Sequence, residues 1–217
     1  MDESVGRQHR DGRRVVIGYD GSPASEAAAR WAAEAAQRLG RPLRVVHAMP
    51  WPILRTATGT AVLVELDAVR RAAERLLAAA CEGIRAGHPE LKLDAEVMTG
   101  DSVPVLLREA EESSLLVVGS RGLGELRDLA AGSVMAHVAT HARCPVVVVP
   151  VDWPQHPSVR NEVVVGVDGS AQSTAAIDFA FRYAELTGAS VTALLAWHDP
   201  KSTAPGDMLY PVHDLDA

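Results

Sequence analysis

Val15-Val16-Ile17-Gly18-Tyr19-Asp20-Gly21-Ser22-Pro23 sets a strand, a turn and a helix start in direct succession near the beginning of a 217-residue chain. The run 15–19 is almost wholly apolar rather than alternating, as in a strand covered on both faces. Asp20-Gly21 is a turn pair. Ser22 carries the hydroxyl that caps a helix start. Pro23 suits the first helical turn, where a missing N–H costs nothing. An alanine-rich helix then runs to about Leu39 and stops at Gly40, the residue that best tolerates a left-handed helix end.

The same order recurs along the chain. Residues 43–48 read as a second buried strand. Residues 49–59, with Pro50, Pro52 and Gly59, read as a loop, and 62–85 as a long helix. Residues 91–98 alternate, as in a strand with one more exposed face. A helix is expected from Asp101 or Ser102 to about Glu112, a fourth strand over 115–119, a helix over 133–141 and a valine-rich fifth strand over 145–149. Continuous apolar strands separated by helices specify an α/β fold with a doubly wound parallel five-stranded sheet and helices on both faces. Right-handed crossovers fix the hand of each unit. The expected strand order is 3-2-1-4-5, a Rossmann-like arrangement.

After Pro150 the prolines at 154 and 157 mark a linker, and the pattern restarts. Glu162-Val163-Val164-Val165-Gly166-Val167-Asp168-Gly169-Ser170 repeats residues 14–22 at a constant offset of 148, which also aligns Gly188 with Gly40 and Ala196 with Ala48. A period of that length is a duplicated domain, not a solenoid. The expected organisation is a disordered tail at 1–12, a complete domain at 13–150, a linker at 151–160 and an incomplete second domain at 161–217.

Composition narrows the function classes. Apolar residues are 47% and charged residues 23%, the balance of an ordinary globular protein, and with aromatics at 4% the core must be aliphatic. Lys and Arg total 21 against 28 Asp and Glu, so no nucleic-acid partner is expected. Arg7, Arg10, Arg13 and Arg14 read as a solvated tail. Cys81 and Cys144 form no CxxC pair, which leaves a zinc or redox motif unsupported. With no signal peptide and no apolar stretch long enough to cross a bilayer, a cytoplasmic protein without a membrane partner is expected.

The chemistry lies in Gly119-Ser120-Arg121-Gly122-Leu123-Gly124 and the later Gly132-Ser133. Glycines at a strand end let backbone N–H groups approach an anion. Gly132-Ser133 opens a helix, whose first N–H groups and dipole favour negative charge. The Ser133 hydroxyl, Arg121 and Arg127 add donors. In the 3-2-1-4-5 order the Asp20 loop and the glycine loop converge where the winding reverses, the usual ligand crevice of such sheets. Asp20 suits ribose hydroxyls or a metal, and Val46, His47 and Ala48 a wall for the base. The spacing, the helix-start serine and the second loop together indicate a phosphate-bearing ligand.

The chain resembles the universal stress protein family, on residues 16–22, the G-x2-G-x9-G-S spacing from Gly119 to Ser133, and the valine strand after Cys144-Pro145. The likeness covers about 13–150 as a whole domain and 161–199 as the start of another. It implies an adenine nucleotide alpha hydrolase-like fold and ATP binding, with Mg2+, in members that keep the spaced glycines. It further implies Asp20 and Val46 at the nucleoside, Gly119, Arg121, Gly122, Gly132 and Ser133 at the phosphates, and Val134 beside them. The second copy matches only at Asp168, Gly169 and Ser170, so a second complete site is not expected. Family members commonly dimerise through the fifth strand, which implies a homodimer here.

Rival sites are weaker. His137 and His141 are spaced for one helix face but lack a third ligand, and surface histidines are the simpler reading. No Walker lysine or G-x-S-x-G elbow is present. The tryptophans at 31, 51, 153 and 197 are scattered, and the charges at 65, 70, 71, 74 and 75 read as a solvated helix face. The expected function is an ATP-dependent sensor or switch in stress response that contacts a protein partner. The alternatives are a slow ATPase or nucleotidyl-transferring enzyme, and a dimerisation module with a vestigial pocket. Fast catalysis is not expected, because no base is positioned by sequence.

Overall fold

The computed structural model describes residues 14–50, 53–55, 61–63, 66–120, 133–153 and 161–196. In chain order the first unit (residues 1–156) contains β1 (Arg14–Gly18), α1 (Pro23–Arg38), β2 (Leu43–Met49), β3 (Ile53–Arg55), β4 (Ala61–Leu63), α2 (Leu66–Gly87), β5 (Leu93–Thr99), α3 (Ser102–Glu111), β6 (Ser113–Gly119), α4 (Ser133–His141) and β7 (Val146–Val149). Five of these strands form one parallel sheet in the order β5-β2-β1-β6-β7. That is the expected 3-2-1-4-5 winding.

β1 is the middle strand, and Ile17 lies between Val45 on one side and Val117 on the other. Successive strand residues face opposite ways. Val16, Val46, Leu116 and Val118 pack with Val105, Leu106 and Ala110 of α3 and Val138 of α4. Val15, Ile17, Val45 and Val117 alternate with them and are equally buried. α1 lies against β1 and β6, and α2 against β2 and β5. The sheet is thus covered on both faces, which is why its strands read as unbroken apolar runs. Ala27, Ala28, Ala32 and Ala36 of α1 are fully buried; their small side chains let this helix lie close to the sheet.

The helix from 62 to 85 is corrected. Residues 61–63 form β4, which pairs antiparallel with β3 through Ile53↔Leu63 and Arg55↔Ala61, and α2 begins only at Leu66. The loop reading of 49–59 changes with it, since Met49 completes β2 opposite Thr99. The triplets Ile53-Leu54-Arg55 and Ala61-Val62-Leu63 form strand here although three residues are too few to show a period. The alternating strand begins at Leu93, because the Leu91 N–H turns back to the His88 carbonyl. β6 starts two residues early, at Ser113, whose hydroxyl donates to the Glu109 carbonyl.

Near the amino ends of the strands, Arg44 of β2 binds Asp94 and Glu96 of β5 and faces Glu109 of α3. Its Nε lies 3.0 Å from Glu109 Oε2 but off the angle of a hydrogen bond, so that contact is Coulombic. Burial opposes the Arg44 charge, but the hydrogen bond to Asp94 and the nearby Glu109, Asp94 and Glu96 outweigh it and raise its pKa.

The second unit (157–217) contains β8 (Glu162–Gly166), α5 (Ala171–Thr187) and β9 (Ser190–Leu194). β8 and β9 are parallel with Val163↔Val191 and Gly166↔Leu194, the register of β1 and β2 moved by the sequence offset. Val165, Ala180 and Ala184 are buried. Val164 is 58% exposed and Leu194 42%, whereas their counterparts Val16 and Val46 are at 0% and 1%.

Candidate functional site

The carboxyl ends of β1 and β6 lie side by side where the winding reverses. The loop leaving β1 is tightly built. Asp20 Oδ1 accepts the Ser22 N–H at 3.0 Å, and Gly21 between them has φ 79°, a left-handed conformation suited to glycine. Ser22 caps α1 by accepting the Ser25 N–H at 3.2 Å, and the Ser25 hydroxyl donates to the Ser22 carbonyl at 2.9 Å. Pro23 occupies the first helical turn as expected.

β2 holds this loop from the side. The Tyr19 N–H donates to the Val46 carbonyl at 2.8 Å, and His47 Nδ1 lies 2.8 Å from the Tyr19 carbonyl. A carbonyl only accepts, so Nδ1 carries the proton. Burial first, then the nearby Glu26 and Asp20 charges, raises the Tyr19 phenol above its ordinary value.

Gly119 ends β6 against this loop. A Cβ at Gly119 would stand 2.7 Å from the Ala24 carbonyl carbon and 2.9 Å from the Ser25 nitrogen, both main-chain atoms. The first glycine of the spaced motif therefore touches the first turn of the helix that Ser22 caps. The Ser120 N–H reaches the Val149 carbonyl at 2.8 Å and carries the β6–β7 ladder one residue further.

The expected site residues divide. Asp20 and Gly119 come together at one end of the sheet. Ser133 is the first residue of α4, and Val134 is half-buried and packs against the core beneath. Arg121, Gly122 and Gly132 lie outside the described residues, as does Arg127. Val46 lies on β2 beside this loop: its side chain is in the core, at 1% exposure, and its carbonyl accepts the Tyr19 N–H. Ala48, two residues on and on the same strand face, is half-buried nearer the strand end. The His47 contact was missed; a polar residue inside an apolar strand was the available signal.

The second unit repeats the loop. Asp168 Oδ1 accepts the Ser170 N–H at 2.9 Å, Gly169 has φ 79°, and Ser170 caps α5 through the Ser173 N–H at 3.1 Å. Hydrogen bonds from the Ser170 side chain, then its backbone, then Ser173, hold the Asp168 carboxyl below its ordinary value.

His137 and His141 are exposed, with rings stacked 6.3 Å apart, and the described residues hold no group of three or more metal-ligating side chains. Cys81 is buried, and burial pushes its thiol up. Arg70, Arg71, Glu74 and Arg75 are exposed, with Arg70 bonded to Glu74 at 3.0 Å; Glu65 lies outside the described residues. Trp31 and Trp153 are half-buried, and Trp51 and Trp197 lie outside. Among the described residues no helix is long and apolar enough to cross a membrane.

Comparison with known proteins agrees with this geometry. The pattern of the universal stress protein family matches residues 12–150 and 160–217. Universal stress protein Rv1996 of Mycobacterium tuberculosis is 33% identical over 202 residues, with 85% of this chain and 63% of that protein covered. Universal stress protein Rv2623 of the same organism is 31% identical over 191 residues, with 85% and 64% covered. The chain thus spans somewhat under two thirds of the length of these relatives. Among solved structures, a universal stress protein from Archaeoglobus fulgidus superposes with a TM-score of 0.68 at 20% identity, over 89% of this chain and 70% of that one. A universal stress protein in complex with cAMP gives 0.50 at 24% identity, over 64% and 98%.

Proposed function

The chain belongs to the universal stress protein family, and we propose that its first unit binds ATP, with Mg2+, as a nucleotide-dependent switch in a stress response. The observation that carries this reading is the contact of Gly119 with Ala24 and Ser25. It sets the start of the spaced glycine motif beside the Asp20 loop, at the end of the sheet where such folds take ligands. Asp20 reaches the ribose hydroxyls. Gly119, Arg121, Gly122, Gly132 and Ser133 hold the phosphates, with the start of α4 facing the negative charge. Val134 packs beneath, and Val46 serves through its carbonyl, which holds Tyr19. Nucleotide binding by a structural relative, solved with cAMP, supports the ligand class. The protein acts by changing a surface for a protein partner rather than by turnover, and the switch is assigned to residues 123–131, which lie outside the described residues. Equal protease cutting in that segment with and without ATP would count against the switch.

Calorimetry with ATP and Mg2+ tests the binding. About one ATP per chain, lost in Gly122→Val/Ser133→Ala, is the expected result. Failure of the unmodified chain to bind overturns the reading and leaves a dimerisation module. The edge position of β7 favours one part of that second reading. Val146, Val147 and Val148 are half-buried on a strand bonded to β6, and apolar edges are usually paired or covered. A homodimer through β7 is compatible with ATP binding, and sedimentation of the purified chain tests it.

A further inference from the structure

The peptide joining Tyr19 to Asp20 is held at both ends. Its carbonyl accepts a hydrogen bond from His47 Nδ1–H, with Nδ1 2.8 Å away, and its N–H points to Ser25 Oγ at 3.4 Å. The peptide before it is tied to the same strand, through the Tyr19 N–H and the Val46 carbonyl. Asp20 therefore leaves a backbone fixed by β2 on one side and by α1 on the other.

The second unit separates what this clamp does from what the turn does alone. There the Val167 N–H still reaches the Leu194 carbonyl at 2.8 Å, and the Asp168–Ser170 turn closes with the same glycine φ of 79°. At the position of His47, however, stands Leu195, which is 61% exposed and offers no donor. The turn needs no histidine to form. What His47 adds is a constraint on the direction of the Tyr19 carbonyl, and through the rigid peptide plane on the residue that follows.

We infer that His47 is a positioning residue of the nucleotide site: its Nδ1–H fixes the Tyr19–Asp20 peptide and so sets the aim of the Asp20 carboxylate at the ribose. This inference rests on the ATP-binding reading above. Asp20 keeps its turn without the clamp, as Asp168 does, but loses its fixed orientation toward ligand.

The test measures ATP and 2′,3′-dideoxy-ATP binding by calorimetry on the full chain and on His47→Leu and His47→Asn. His47→Leu copies the second unit and removes the donor. Asn places an N–H near the position of the imidazole Nδ1. The expected result is an ATP affinity weakened on the order of fivefold to tenfold in His47→Leu, the effect of one lost hydrogen bond. His47→Asn restores most of it. With dideoxy-ATP, which lacks the ribose hydroxyls, the His47→Leu penalty disappears, as a coupling between His47 and the ribose requires.

Equal ATP binding by the unmodified chain and His47→Leu, or an equal penalty with both nucleotides, overturns the inference while the ATP reading stands. No binding by the unmodified chain overturns both. Nitrogen NMR of the imidazole gives an answer even where His47→Leu fails to fold: Nδ1 protonated in the neutral ring is expected, and the opposite tautomer overturns the clamp.

Discussion

Gly119 and Ala24 are in contact through main chain alone: a Cβ on Gly119 would stand 2.7 Å from the Ala24 carbonyl carbon. Neither side can yield by rotating a side chain. The end of β6 and the start of α1 are held together by the absence of an atom.

Gly119→Ala is expected to destabilise the first unit by about 2 kcal/mol, the scale of overpacking a rigid site. Gly83→Ala is the control. It lies within α2 with nothing within 4 Å of the new Cβ, and should stabilise by about 0.5–1 kcal/mol. Urea denaturation of the two variants checks the opposite signs.

The duplicated turn allows a second comparison. Gly21 and Gly169 share φ 79°, but a Cβ at Gly21 also meets Leu76 Cδ1 at 2.9 Å, while one at Gly169 meets nothing within 4 Å. Alanine at either position carries about 1–2 kcal/mol of left-handed strain. Only Gly21→Ala should weaken ATP binding, because Gly21 belongs to the loop of Asp20. An equal loss of affinity in Gly169→Ala would place the ligand at the wrong loop.

Arg44 has a side chain 13% exposed and Glu109 one at 8%. Among the described residues, Arg44→Ala leaves Glu109 with only Arg14, at 3.7 Å, and should cost about 3 kcal/mol, the cost of stranding a buried charge. Glu109→Gln should cost less, since Arg44 keeps Asp94 and Glu96. Chemical denaturation that ranks them the other way would contradict the ion cluster as drawn.

Asp168 supplies a pH prediction. Its carboxyl is held below the ordinary 3.8 by Ser170 and Ser173. A depressed folded value means that the stabilisation is present above 3.8 and lost as pH falls through the folded value. Carbon NMR should show Asp168 titrating below 3.8, and Ser170→Ala should return it toward that value.

The sheet was legible because its strands are buried on both faces and so read as bare aliphatic runs. The same property removes the alternation that would sort the two faces: Val45 and Val46 are both buried. The β3–β4 pair was illegible for a different reason, being too short for a period and joined to a helical pattern. The Asp20 turn could be read because its geometry is local, written in Asp, Gly and Ser within three residues. The His47 clamp joins residues 28 apart, and the Gly119–Ala24 contact joins two separate elements. Neither is visible until the strands are side by side.

The two borders of the sheet differ in chemistry. β5 carries Asp94 and Glu96, both engaged by Arg44, while β7 is four valines. One border is aliphatic and the other is charged. In the homodimer proposed through β7, the first units would turn their charged β5 borders away from the join, which disfavours further growth along the sheet.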